Sequence, residues 1–144
     1  LSPPSFAQIL GEAAVDLPDN YFDKTKAEYK LRRDILVNRL NKMPDVFCPN
    51  PGGAFYAMAK LPIDDCDIFC QWLLESFSHN GATVMLAPAT GFYSTPGLGK
   101  DEVRLAYVLN AEDIDNAMDC LEEALQQYPG RTNKTNAPAH IQNA

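Results

Sequence analysis

Histidine is scarce in this chain of 144 residues, with His79 and His140 the only two. Neither has an obvious serine or cysteine partner, so a histidine-activated nucleophile is not suggested. His79 reads as the last residue of a helix, beside Asn80 and Gly81, where an imidazole complements the carbonyl end of the dipole. No two of Cys48, Cys66, Cys70 and Cys120 have C-x-x-C spacing, so the four are expected as reduced core thiols rather than as disulfides or a zinc site. No run of about 20 apolar residues could span a bilayer. The opening LSPPSFAQIL lacks the basic start and long apolar centre of a secretion signal. Basic residues are also in the minority, 12 against 19 acidic for a net charge of -7. Such a surface repels nucleic-acid phosphates and anionic membranes. The expectation is a soluble, cytoplasmic protein that binds neither. The chain also lacks an initial Met and opens like mid-protein sequence, so we expect a piece of a longer polypeptide.

What is present suits one folded domain, because 46% of the residues are hydrophobic and the length is that of an ordinary domain. Phe6, Ile9, Leu10 and Ala13 recur at helical spacing after two prolines suited to a first turn. A turn over Asp16 to Asn20 leads to a long amphipathic helix from about Asp19 to Met43. Phe22, Tyr29, Leu36, Leu40 and Met43 form its stripe, and Pro44 ends it. Gly52 and Gly53 turn the chain into a strand from Ala54 to Leu61, after a short candidate strand at Val46 and Phe47. A helix follows with Ile68, Trp72 and Leu73 inward. Asp64, Asp65 and Asp67 sit at its start, where acidic groups complement the dipole, and are read as helix-start chemistry rather than a metal site. Strands Thr83 to Ala87 and Glu102 to Leu109 flank a loop. Asn110 then caps a last helix striped by Ile114, Met118, Leu121 and Leu125 and running to about Tyr128. The fold class expected is α+β or α/β, a small mixed sheet of three to four strands packed against helices. Residues 130–144 lack apolar periodicity and read as a mobile tail. The sequon Asn133-Lys134-Thr135 within it is taken as chance.

The loop APATGFYSTPGLGK invites comparison with a phosphate-binding loop. It fails at two positions, because Ser94 stands where glycine is required and Asp101 where a magnesium-binding hydroxyl is required. Arg104 is the more informative residue. Strand alternation puts Val103, Leu105, Tyr107 and Leu109 on one face and Glu102, Arg104, Ala106 and Val108 on the other. An exposed arginine paired with a surface carboxylate is the ordinary reading of such a position. The small apolar neighbours Ala106 and Val108 favour a partly shielded face, where a guanidinium needs an anion. A planar guanidinium matches a carboxylate through two parallel hydrogen bonds, which lysine cannot reproduce.

The segments PGGAFYAMAKLP and VMLAPATGFYSTPGLGKDEVRLAYVLNAEDI, followed by an amphipathic helix, resemble the C-terminal part of class I/II, fold-type I aminotransferases that use pyridoxal phosphate, of the aspartate or alanine kind. The likeness covers about residues 1–129 and implies their small domain, with the helix at about 19–43 linking it to a large cofactor-binding domain absent from this chain. It implies that Arg104 binds the substrate α-carboxylate and that Phe92 and Tyr93 are cleft residues. The loop departs from the family form, reading Ala-Pro-Ala-Thr-Gly-Phe in place of Pro-Gly-x-x-Phe-Gly. No lysine both follows a Ser or Thr and precedes a Gly-x-Arg stretch as the family's Schiff-base lysine does, Thr25-Lys26 lying within a plain amphipathic helix, so no catalytic, cofactor-binding or metal residue is assigned here and the piece alone is expected to be inactive. The full-length protein implied is a homodimer moving an amino group between amino-acid and 2-oxo-acid substrates. A non-catalytic binding or dimerisation module on the same fold is the alternative.

Overall fold

A computed structural model describes residues 2–132. The expected tail from 133 onward, with His140 and the sequon, lies outside the described residues. Four helices and three strands follow in the order α1 (Ser5–Val15), α2 (Asp19–Leu40), β1 (Tyr56–Lys60), α3 (Cys66–Glu75), β2 (Ala87–Pro88), β3 (Glu102–Ala106) and α4 (Ala111–Gln127), with a 3-10 turn at Thr90–Phe92 between β2 and β3. This is an α+β arrangement. The sheet has the order β1-β3-β2 with both pairings antiparallel, where a mixed sheet was anticipated.

The sheet has one buried and one open face. Ala57 and Ala59 of β1 and Val103 and Leu105 of β3 point inward, together with Tyr107 just beyond β3. They meet Leu36, Val37 and Leu40 from α2, Phe69 and Leu73 from α3, and Ile114, Met118, Leu121, Ala124 and Leu125 from α4. Each large apolar side chain removed from water contributes about 1.5–3 kcal/mol before conformational entropy is set against it. Asn110 caps α4 as its sequence suggests, accepting from the Asp113 amide at 2.9 Å and donating from its own amide to the Asp113 carboxylate at 2.7 Å. Arg39 ties α2 to α4 by reaching both Asp115 and Asp119.

Several expectations need correction. Ile68 points outward, 57% exposed, while Cys66, Phe69, Cys70 and Leu73 form the inner stripe of α3. Asp65 caps that helix by accepting from the Asp67 and Ile68 amides. That fixes the helix start and rotates Ile68 to the solvent side. The strand expected over 83–87 is reduced to Ala87–Pro88 at the sheet edge, and Met85 is 81% exposed. The strand expected to reach Leu109 ends at Ala106, and Leu109 is exposed. Val46–Phe47 contributes one isolated bridge, Phe47 to Lys60. His79 lies beyond α3 rather than at its end. It pairs with Ala82 across a tight turn in which Asn80 and Gly81 both have positive φ, a geometry this Asn-Gly pair tolerates. Residues 130–132 pack on the fold rather than starting a tail: Gly130 O accepts from the Asp64 amide at 3.0 Å and the Thr132 amide donates to Pro62 O at 2.9 Å.

The helix at the start forms as its spacing predicts, yet buries nothing. Phe6, Ile9, Leu10 and Val15 of α1 are all more than 60% exposed. The first half of α2 is likewise solvated, with Tyr21, Phe22 and Leu31 exposed and burial beginning in earnest at Leu36.

Candidate functional site

Arg104 occupies the centre of the open sheet face. Its strand is the middle one, and its neighbours across the ladder are Met58 on β1 and Ala87 on β2. Val103 and Leu105, each under 5% exposed, lock the backbone on either side, so the alternation of β3 turns the arginine outward. The guanidinium carbon lies 4.6 Å from the ring centroid of Phe92 and 5.2 Å from that of Tyr56. Both distances are within the range of cation–π attraction. Among the described residues no carboxylate stands within 4 Å of Arg104, although six other basic side chains carry such ion pairs within helices or between elements. A half-buried cation between two rings without an anion of its own can receive one from outside.

Tyr56 reaches the guanidinium diagonally. It sits on β1 opposite Ala106, whose methyl leaves room above the sheet for the ring to lean toward Arg104. Sequence reasoning did not single out Tyr56. The signal was there in the alternation of β1, but it required the register that pairs Tyr56 with Ala106.

Phe92 is delivered by the loop between β2 and β3. The Ala89 amide donates to Glu102 O at 3.1 Å and the Phe92 amide to Ala89 O at 2.9 Å, closing the 3-10 turn against β3. The Thr90 hydroxyl donates to Asp67 Oδ2 at 2.7 Å, fastening that turn to α3. Farther along, the Cys66 amide donates to Lys100 O at 2.6 Å and its thiol to Gly99 O at 3.2 Å. Gly99 has φ +75°, and a side chain there would collide with the ring of Tyr93. Tyr93 therefore lies flat on a glycine, and its hydroxyl donates to Glu102 Oε2. That hydrogen bond, with some burial, pushes the Tyr93 phenol up to about 12. Of the two aromatic residues expected at the cleft, the structure brings Phe92 to Arg104 and engages Tyr93 with Glu102.

The remaining chemistry-bearing residues are structural. All four cysteines are buried and free, and burial pushes the thiols of Cys48 and Cys70 up to about 11 and about 12. Among the described residues there is no cluster of three His, Cys, Asp or Glu groups able to hold a metal, and no helix long and apolar enough to cross a membrane. The Gly-Leu-Gly-Lys stretch forms no phosphate cradle: Lys100 Nζ lies 3.9 Å from Asp65 and Gly99 is covered by Tyr93. A cleft of about 450 Å³ opens elsewhere, between α2 and the Gly52–Phe55 turn. It borders Tyr107, whose hydroxyl donates to Ala54 O at 2.9 Å, and does not include Arg104.

No protein-family model matches the chain. Individual proteins do. An aspartate aminotransferase of Pyrococcus horikoshii is 33% identical over 126 residues, covering 85% of this chain and 30% of the relative. One from Musicola paradisiaca is 37% identical over 112 residues, 74% of this chain and 25% of the relative. Among solved structures, an alanine aminotransferase from Pyrococcus furiosus superposes with a TM-score of 0.74 at 27% identity, covering 89% of this chain and 31% of that one. The chain is a fold-type I aminotransferase homologue. It spans about three-tenths of the length of the relatives it matches.

Within this aminotransferase homologue, the residues around Arg104 do not fit a pyridoxal phosphate site. The lysine on the same sheet face, Lys60, is ion-paired with Asp101 at 3.0 Å. The one glycine-rich loop is closed by its own side chains. Among the described residues, the surroundings of Arg104 leave a guanidinium without an ion-pair partner and supply no group placed to hold or activate the cofactor.

Proposed function

We propose that residues 1–129 form the small domain of a pyridoxal-phosphate-dependent aminotransferase, with the helix at about 19–43 linking it to a large domain outside this chain. In that reading the full-length protein is a cytoplasmic homodimer that transfers an amino group from an amino acid to a 2-oxo acid, the cofactor being held by residues this chain does not contain. Arg104 binds the α-carboxylate of the substrate through two parallel charge-assisted hydrogen bonds. Phe92 and Tyr93 border the cleft. The observation that carries the reading is the half-buried guanidinium of Arg104, held between Phe92 and Tyr56 with no carboxylate of the described chain to neutralise it. The likeness to aspartate and alanine aminotransferases supports the reaction class.

The contribution of Arg104 is positional. A carboxylate gripped at both oxygens loses rotational freedom, and the neighbouring Cα–H bond is then presented in one orientation to whatever base removes its proton. Lysine keeps the charge but cannot supply the fork. In the full-length protein, Arg104→Ala is expected to lower kcat/KM for amino-acid substrates by about 10- to 100-fold, and Arg104→Lys by somewhat less. Unchanged KM and turnover in both variants would overturn the role. A full-length protein that shows no change in visible absorption with added pyridoxal phosphate would overturn the reaction class.

A further inference from the structure

We propose that Tyr93 is a positioning residue that holds Glu102 away from Arg104 and so keeps the guanidinium open to an external carboxylate. The inference rests on the reading of Arg104 as an anion site and extends it to what keeps that site vacant of the chain's own acids. Glu102 and Arg104 lie on the same face of β3, two residues and roughly 7 Å apart along the strand, a separation that two long side chains can close. A free Glu102 would therefore be a competitor built into the site.

The structure provides each nearby acid with another partner. Asp101 takes Lys60 at 3.0 Å, and Lys60 is the residue directly opposite Glu102 across the ladder. Glu102 is left to the Tyr93 hydroxyl, which donates to Oε2. With its phenol pushed up to about 12, Tyr93 remains a donor throughout the neutral range. Its ring cannot drift far, because it rests on the bare α-carbon of Gly99, and the Gly99 carbonyl is held by the Cys66 thiol at 3.2 Å. The guanidinium meanwhile is held between the rings of Phe92 and of Tyr56, which pairs with Ala106. Of the four charges at residues 60, 101, 102 and 104, the first three are engaged within the chain and Arg104 alone is left for a ligand.

The test uses Tyr93→Phe, which keeps the ring on Gly99 and removes only the donor. In the full-length protein, KM for the amino-acid substrate is expected to rise about two- to fivefold, the range of an exposed ion pair, with kcat unchanged. The double variant Tyr93→Phe/Glu102→Gln is expected to return KM to the wild-type value, because the competing charge is gone. An unaltered KM in Tyr93→Phe, or a raised KM that the double variant fails to restore, would overturn the proposal. Arg104→Lys assayed alongside separates the two ideas, since an unchanged KM there removes the anion site itself. A measurement independent of turnover is the side-chain Nε–H signal of Arg104 in NMR during titration with acetate. The shift should be largest in the wild type, weaker in Tyr93→Phe and recovered in the double variant. The same response in all three would equally overturn the role.

Discussion

The ring of Phe92 and the guanidinium of Arg104 lie 4.6 Å apart, although they come from a 3-10 turn and a strand that share no regular pairing at those residues. The contact depends on Ala89 hydrogen-bonding to Glu102 and on Thr90 hydrogen-bonding to Asp67, so the loop is referenced to both the sheet and α3. Removing the ring with Phe92→Ala should weaken carboxylate binding by about 0.5–1 kcal/mol, a two- to fivefold rise in KM, while Phe92→Tyr stays near the wild type. Steady-state kinetics on the full-length protein would check this, and an unaltered KM in Phe92→Ala would count against the contact.

The joint between α2 and α4 should be sensitive to salt. Arg39 is three-quarters buried and reaches Asp115 and Asp119, both more than half exposed, with Glu122 at 3.9 Å. Substitution by methionine, which retains the stem packing, is expected to cost about 1 kcal/mol in unfolding free energy at low ionic strength. The difference should shrink as sodium chloride approaches about 1 M, where the Debye length is about 3 Å. Urea denaturation at two salt concentrations measures both quantities.

Deletion in the core should be far more costly. Leu121 has no exposed surface and sits on the inner stripe of α4. Leu121→Ala is expected to lose about 2–5 kcal/mol, from lost transfer energy and the cavity left behind. Ile68→Ala on α3, at 57% exposure, should change stability by less than about 0.5 kcal/mol. A large loss at Ile68 would contradict the helix orientation.

The Tyr93–Glu102 hydrogen bond should also be visible in alkaline unfolding. An unperturbed tyrosine ionises near 10, and Tyr93 is pushed up to about 12 because its hydroxyl donates to a carboxylate. The protonated form is thus favoured by folding. Its contribution is complete below about pH 10 and is lost as pH rises through about 12, since the unfolded chain ionises first. The fall in thermal midpoint between about pH 10 and about pH 12 should be shallower in Tyr93→Phe than in the wild type.

Much of this was legible in the sequence, for reasons that differ by element. The stripe of α4 and its Asn110 cap were readable because both signals are local: periodicity and a side chain bonding three residues ahead. The direction of Arg104 followed from strand alternation alone. Ile68 was misplaced because two stripes of α3 are apolar, and the choice between them is made by the Asp65 cap and the packing of Phe69 on Tyr128. The partners of Arg104 were only half readable. Phe92 lay in the suspect loop, whereas Tyr56 is 48 positions away and depends on which residue of β1 faces Ala106. The engagement of Tyr93 by Glu102 was not readable, since it needs the positive φ of Gly99.

The 22-residue α2 is anchored through its C-terminal half, where Arg32 and Arg33 donate to Val108 O and Pro51 O and where Leu36, Val37 and Leu40 are buried. At 1.5 Å per residue it extends roughly 33 Å, and its fixed end, around Leu36 to Leu40, is the part seated on the sheet. A rigid rod clamped in this way is a lever. A tilt of about 10° about Leu36 would sweep the far tip, roughly 25 Å away, by about 4 Å. The spacing between Arg104 and anything carried at that tip is therefore set by a small angle rather than by the length of a flexible tether.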